Sequence, residues 1–186
     1  MNMKIHQNGF TLIEVLVALL IFAFGMLGLA GLQLQAHQSM SYAQSRTAAT
    51  MAATHLFERM RANINAVNSG DYAFNSTSGL PAAVAACNTA AGCGTAAQMA
   101  QNDLREWILT LAQSLPILNG DLTFNSDASI RICLDSSPTT GVPTSVGANI
   151  NCDGLLGQWT VYIDWVEQSE DLAAFQLNRQ TFTFVP

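Results

Sequence analysis

Apolar side chains fill one long run near the start of the chain, and their spacing changes further along. From Phe10 to Leu32 the sequence is almost unbroken apolar, apart from the single charged residue Glu14. At a rise of ~1.5 Å per residue this run gives a helix of roughly 35 Å, enough to cross a hydrocarbon core of ~30 Å. We therefore predict a helix that spans a membrane up to about residue 32.

The start of the chain fits a cleaved secretory signal poorly. Such a signal needs an apolar region of about 7–15 residues followed by a small-x-small cleavage site, whereas the segment GLQLQAHQ has no such pattern. A plain signal anchor does not explain Glu14, because a carboxylate in lipid costs about 2.5–3.5 kcal/mol. Lys4 precedes the run and is the only lysine. We expect a cytoplasmic N-terminus, with the residues after Leu32 on the periplasmic or outer side.

Two further segments have the three- and four-residue spacing of amphipathic helices. The first continues the membrane helix over residues 33 to about 64, and the second covers residues 97–115 and ends at Pro116. Within the second, Asp103 and Glu106 look like paired acids. We interpret them instead as the polar face of an early turn, where acids interact favourably with the helix dipole.

After residue 121 the spacing changes to the two-residue alternation of β-strands. In the segment 158–167 the alternation puts aromatic and branched side chains on one face, which we expect to face the core. The predicted fold class is α+β, with a long N-terminal helix packed against a small antiparallel sheet. The predicted strands are 122–124, 129–135, 158–167 and 180–186.

Composition narrows the possible functions. The 186 residues carry a net charge of −6, and charged side chains make up only 11% of them, with no cluster of lysine and arginine. Phosphate binding needs such clusters, so we expect no nucleic-acid partner. The sequence contains no hydrolase, metalloprotease or phosphate-loop signature and no convergent metal ligands. We therefore expect no catalytic residue, cofactor or metal site.

Four cysteines follow the apolar run, on the side expected to be exported. An even number of cysteines in an oxidising compartment suggests disulfides. Cys87 and Cys93 lie close together within one loop. Cys133 lies on the predicted strand 129–135, and Cys152 lies in the loop that follows this strand. Crossed pairings would tie the region before the amphipathic helix to the sheet twice over. We predict the two local bonds, Cys87–Cys93 and Cys133–Cys152.

A specific motif opens the apolar run. The polar leader MNMKIHQNG ends at Gly9, Phe10 follows, and Glu14 is the fifth residue after the glycine. This arrangement resembles the type IV prepilin signature. The resemblance implies that a membrane prepilin peptidase cuts after Gly9 and methylates the new amine of Phe10. It also implies a leader of residues 1–9, an N-terminal helix of residues 10–64 and a periplasmic pilin-like domain of residues 65–186.

The predicted cleavage gives Glu14 a partner. A free α-amino group at Phe10 stays charged at neutral pH, whereas a lone carboxylate between apolar helices must be neutralised or paired. We predict that Glu14 pairs with the Phe10 amine of a neighbouring subunit and sets the axial register; the alternative is a glutamate facing an interfacial water defect. Gly25, Gly28 and Gly31 in the same helix have three interpretations: close helix packing, a segment that can stretch, or the ordinary glycine content of transmembrane helices.

A second resemblance concerns the subgroup. The segments ERMRAN and DLREWILTLAQSLPILNGD look like those of the PilV-type minor pilins, with Asp103, Leu104, Trp107, Leu115 and Pro116 in the matching pattern. Such proteins prime or join a type IV pilus. The implied partners are the prepilin peptidase, other minor and major pilins and the inner membrane, and the implied final location is the pilus at the cell surface.

Three other functions remain open from the sequence. A pseudopilin of a type II secretion system shares the same N-terminal region. A pilus-tip adhesin or binding module would contact a surface through the loops 65–95 and 136–157. A signal-anchored periplasmic enzyme is the third possibility.

Overall fold

The computed structural model describes residues 11–139, 144–148, 150, 152–154, 158–168 and 175–186. The chain divides into two compact units, with the boundary between Ser41 and Tyr42. Three α-helices and four strands make up the described regular structure, besides two short 3-10 turns. They are α1 (Leu12–Ala62), α2 (Ile64–Ser69), β1 (Phe74–Asn75), α3 (Ala96–Leu111), β2 (Ala128–Leu134), β3 (Trp159–Gln168) and β4 (Phe175–Phe184).

The two predicted N-terminal helical segments form the single helix α1. It ends where Asn63, with φ −122° and ψ 57°, leaves the helical conformation. The Asn63 side chain donates to the carbonyl of Ala96, 2.8 Å away, and so joins this break to the start of α3. Helix α2 then closes at Gly70, whose φ of 81° lies in the left-handed region that glycine adopts without a steric penalty.

The four strands form one antiparallel sheet in the order β1-β2-β3-β4. Consecutive strands are neighbours, so the sheet is a meander, and its two central strands are β2 and β3. In register, Ile130 of β2 faces Ile163 of β3, and Val161 of β3 faces Phe182 of β4. The predicted α+β class, with a long N-terminal helix and a small antiparallel sheet, is confirmed.

The core of the second unit lies between the helices and one face of this sheet. Its helical side chains come from the part of α1 after residue 48, from α2 and from α3. The indole nitrogen of Trp107 donates to the Ala52 carbonyl at 2.8 Å. The sheet contributes the alternating residues that the two-residue spacing predicted. These buried sheet residues are Ala128, Ile130, Ile132, Trp159, Val161, Ile163, Trp165 and Phe184.

Some predicted element bounds were wrong. Residues 122–124 do not form a strand: Leu122 has a φ of 63°, and only an isolated bridge joins Phe124 to Leu118. Helix α3 ends at Leu111, before Pro116, and β4 begins five residues earlier than position 180. The two-residue strand β1 lies in the segment predicted as a loop, because two residues are too short to show an alternation.

Candidate assembly site

Glu14 lies in the first turn of α1. The backbone N–H groups of Glu14 and Val15 donate to the Thr11 carbonyl at 3.1 and 3.3 Å, which closes the first helical turn around the glutamate. The Glu14 side chain is exposed. An acid in the first turn also lies near the free N–H groups of the helix end, where negative charge is favourable. Gly9 and Phe10, the predicted processing residues, lie outside the described residues.

The helix that follows Glu14 exposes an almost wholly apolar surface. Every residue from Thr11 to His37 is exposed, and the large apolar side chains among them include Leu16, Phe22 and Phe24. By length and composition α1 is able to cross a membrane, and its most apolar window has no buried residue. Apolar surface of this extent needs lipid or other helices to cover it.

The three glycines of this segment make no close contact within the described chain. A Cβ atom added to Gly25, Gly28 or Gly31 would meet no heavy atom within 4 Å. Each lies inside α1, where glycine weakens a helix by about 1 kcal/mol relative to alanine. Packing within the described chain therefore does not require glycine at these three positions.

The four cysteines form the two local disulfides that the sequence predicted. The Cα atoms of Cys87 and Cys93 are 4.1 Å apart, and those of Cys133 and Cys152 are 5.9 Å apart. The second bond fixes the segment around Cys152 to strand β2, and the Nε atom of Arg131 donates to the Cys152 sulfur at 3.2 Å. Both bonds therefore hold loop segments with few buried apolar side chains of their own.

The acids of α3 bind a cation on α1 rather than the helix dipole, which corrects the interpretation from sequence. Helix α3 begins at Ala96, so Asp103 and Glu106 lie beyond its first turn. The Nη1 atom of Arg59 lies 2.9 Å from an oxygen of Asp103 and 3.0 Å from one of Glu106. The hydrogen bond from Arg59 lowers the pKa of Glu106. This cluster ties α3 to α1.

Tyr72 completes the same cluster from the side of α2. Its hydroxyl donates to the second oxygen of Asp103 at 2.7 Å, and its ring is fully buried. Burial, together with that hydrogen bond, raises the pKa of Tyr72 far above its usual value. Both oxygens of the Asp103 carboxylate therefore accept hydrogen bonds from side chains of the same cluster.

The outer face of the sheet holds a buried ion pair that the sequence did not predict. Asp164 of β3 and Arg179 of β4 face each other, and both side chains are 0% exposed. Two guanidinium nitrogens of Arg179 donate to the two oxygens of Asp164, each at 2.7 Å. The described segment 144–148, which follows β2 in the chain, also contacts this ion pair. The N–H of Gly147 donates to Asp164 at 2.9 Å, and the carbonyl of Ala148 accepts from Arg179 at 2.7 Å.

Tyr162, on the same face of the sheet, binds the residues that directly follow β2. Its hydroxyl donates to the buried carboxylate of Asp135 at 2.5 Å and accepts from the N–H of Thr139 at 3.2 Å. The guanidinium of Arg179 lies 5.7 Å from the centre of the Tyr162 ring. Burial, and then the hydrogen bond to Asp135, raises the pKa of Tyr162 to about 12. These polar residues hold a loop on the sheet.

Within the described part of the chain, no group of three or more histidine, cysteine, aspartate or glutamate residues is placed to hold a metal ion. Asp103, Asp135 and Asp164 are bound instead by arginine, tyrosine or backbone N–H groups. Asp164 lies within the predicted strand 158–167, at a position that alternation assigns to solvent. Arg179 directly precedes the predicted strand 180–186, so the sequence analysis did not place it opposite Asp164.

Two family models match adjacent parts of the chain. The prokaryotic N-terminal methylation motif matches residues 4–30, which include the predicted cleavage position and Glu14. The family described as type IV pilin Tt1218 matches residues 31–105, from the apolar helix to the middle of α3. No curated protein and no solved structure is found to match the chain. With its methylation motif, its exposed apolar helix and its small antiparallel sheet, the chain is a type IV pilin-like protein.

Proposed function

We propose that the chain is a minor pilin that primes or joins a type IV pilus. The observation that carries this proposal is the exposed apolar helix α1, whose only charged residue before position 46 is Glu14, within a methylation motif. A surface of this kind is suited first to a bilayer and then to the packed helices of a filament. Type IV pilins are structural proteins, and we propose no enzymatic role.

Processing would create the charge that Glu14 needs. A cut after Gly9 leaves the amine of Phe10 as the new N-terminus, and an α-amino group is positively charged at neutral pH. Glu14 forms no ion pair within the described residues. When α1 moves from lipid into a filament, the Phe10 amine of a neighbouring subunit would neutralise this carboxylate, and only one axial register would bring the two charges together.

The proposed topology follows from the same segment. Residues 1–9 form the leader, the helix of residues 10–64 spans the inner membrane to about residue 32, and residues 65–186 form the periplasmic domain. The N-terminus lies in the cytoplasm. An oxidising periplasm suits the two disulfides, and the second half of α1 packs as part of that domain's core.

Assignment to the PilV-type minor pilins rests on the resemblance and is supported by how its residues pack. Leu104, Trp107 and Leu115 are buried in the core, Asp103 binds Arg59, and Trp107 bonds to the backbone of α1. The residues of the pattern therefore hold α3 against α1. The proposed partners are the prepilin peptidase and the other minor and major pilins, with no nucleic acid among them.

Deletion of the gene, with complementation by the wild-type chain, tests this function against the alternatives. A minor pilin predicts loss of surface pili and of twitching motility. Normal pili combined with loss of protein secretion would contradict the proposal and indicate a type II pseudopilin. Normal, motile pili with lost adhesion would instead indicate a binding module at the tip.

A further inference from the structure

A cleft of about 500 Å³ opens on the second unit beside strands β1 and β2. One wall consists of residues 75–77 and Gly79, a second of residues 124–126, and a third of Val146, Gly147 and Ile150. Arg131 and Ser129 of β2 also line it. Its volume falls within the range of about 300–1,000 Å³ that is typical of small-molecule sites.

The lining of the cleft combines polar and apolar groups and has one positive charge. Six of its described residues have a hydroxyl or amide side chain and none is acidic, although the whole chain has a net charge of −6. Arg131 supplies the only cation among them. Phe124 supplies an aromatic ring, which is half-buried and packs against Phe74 with the ring centres 5.9 Å apart. An anionic ligand with many hydroxyl groups matches this combination.

Two hydroxyl groups of the lining keep hydrogen-bonding capacity. The hydroxyls of Ser76 and Ser129 lie 3.4 Å apart, longer than the distance of about 2.5–3.0 Å in a strong bond between hydroxyls. The Nε atom of Arg131 donates to the Cys152 sulfur, a weak acceptor, at 3.2 Å. Among the described residues no carboxylate pairs with Arg131. A guanidinium bound only through Nε can present its two terminal nitrogens to a carboxylate.

We propose that this cleft binds an acidic saccharide, that is, a sugar unit that carries a carboxylate. Arg131 binds the carboxylate, the hydroxyl groups around Ser126 and Ser129 bond to the sugar hydroxyls, and Phe124 packs against the apolar face of the ring. A phosphate-rich polymer fits less well, because it needs several clustered cations. The cleft and the apolar helix lie in different units of the chain, so binding by the cleft can be measured separately from pilus assembly.

Isothermal titration of the full-length chain in detergent tests the proposal. The probes are a disaccharide that contains glucuronic acid and the matching disaccharide with glucose in its place. The wild-type chain should bind the acidic probe and bind the neutral one at least about tenfold more weakly, because a charge-assisted hydrogen bond is lost. Arg131→Gln should lose the same factor, whereas Arg46→Gln, which removes an exposed arginine of α1 outside the cleft, should bind like the wild type.

Failure of the acidic probe to bind, or equal affinity for both probes, would overturn the proposal. So would wild-type affinity in folded Arg131→Gln. If that variant does not fold, Thr77→Val decides, because Thr77 is exposed on the cleft wall and the change removes only a hydroxyl. A several-fold loss of affinity supports the saccharide site, and unchanged affinity contradicts it.

Discussion

Replacing Arg179 by methionine should destabilise the second unit more than any single change on its surface. The guanidinium makes three hydrogen bonds of 2.7 Å, two to Asp164 and one to the carbonyl of Ala148. Methionine keeps much of the apolar stem of the arginine. The Asp164 carboxylate, which is 0% exposed, then keeps only the hydrogen bond from the Gly147 N–H among the described residues. Removing one partner of a buried pair costs about 3–5 kcal/mol, and we expect a loss of that size in the free energy of unfolding.

Urea unfolding of the full-length chain in detergent, followed by tryptophan fluorescence, measures this loss. All three tryptophans are buried in the second unit, so their emission reports on its unfolding. Arg46→Met is the matched control: it removes an exposed arginine and should change stability by about 0.5 kcal/mol or less. The double variant Asp164→Leu with Arg179→Met should recover part of the loss, because no unpaired charge then stays buried. An Arg179→Met variant as stable as the control would refute the reasoning.

Three further predictions concern other parts of the chain. Glu14→Gln should insert and be cleaved normally but assemble poorly, as measured by immunoblotting of sheared pili; wild-type amounts would contradict the pairing hypothesis. The pKa of Tyr162, raised to about 12 from about 10 in the unfolded chain, means that its contribution to stability is present below pH ~10 and is lost as the pH rises towards 12. The urea midpoint of the wild-type chain should fall as the pH rises from ~10 to ~12, and it should fall less steeply in Tyr162→Phe. The same fall in both chains would contradict a contribution of Tyr162 to this pH dependence. Replacing Cys133 and Cys152 together by serine should cost roughly 3 kcal/mol in the same urea assay, and an unchanged midpoint would contradict a stabilising bond.

The sequence predicts the inner face of the sheet well and the outer face poorly. Alternation correctly places Trp159, Val161 and Ile163 in the core, because side chains two apart on a strand point to one face. By the same rule Tyr162 and Asp164 face away from the core. Both are nevertheless buried, because the chain after β2 returns over that face and bonds to it. Alternation separates the two faces of a strand but does not identify what covers each of them.

Two other predictions differ from the structure: the strand at 122–124 failed because of local turn geometry, and the role of the α3 acids failed because of long-range packing. The triplet 122–124 has strand-like residues, but Leu122 adopts a positive φ within a turn in which the N–H of Asn119 donates to the carbonyl of Thr123. Spacing alone assigns the acids of α3 to solvent, since their partner Arg59 is 44 residues away from Asp103 in the sequence. Contacts at such separations depend on how the elements pack, which periodicity does not contain.

The N-terminal mass of protein extracted from membranes tests the central claim most directly. A type IV pilin-like precursor that is processed at the predicted position yields a mature chain that begins at Phe10, with its mass raised by one methyl group at the amine. Gly9→Leu, which removes the glycine that the peptidase reads, should keep the uncut leader and serves as the control. A wild-type chain that retains Met1, or one that begins near residue 34, would contradict the account.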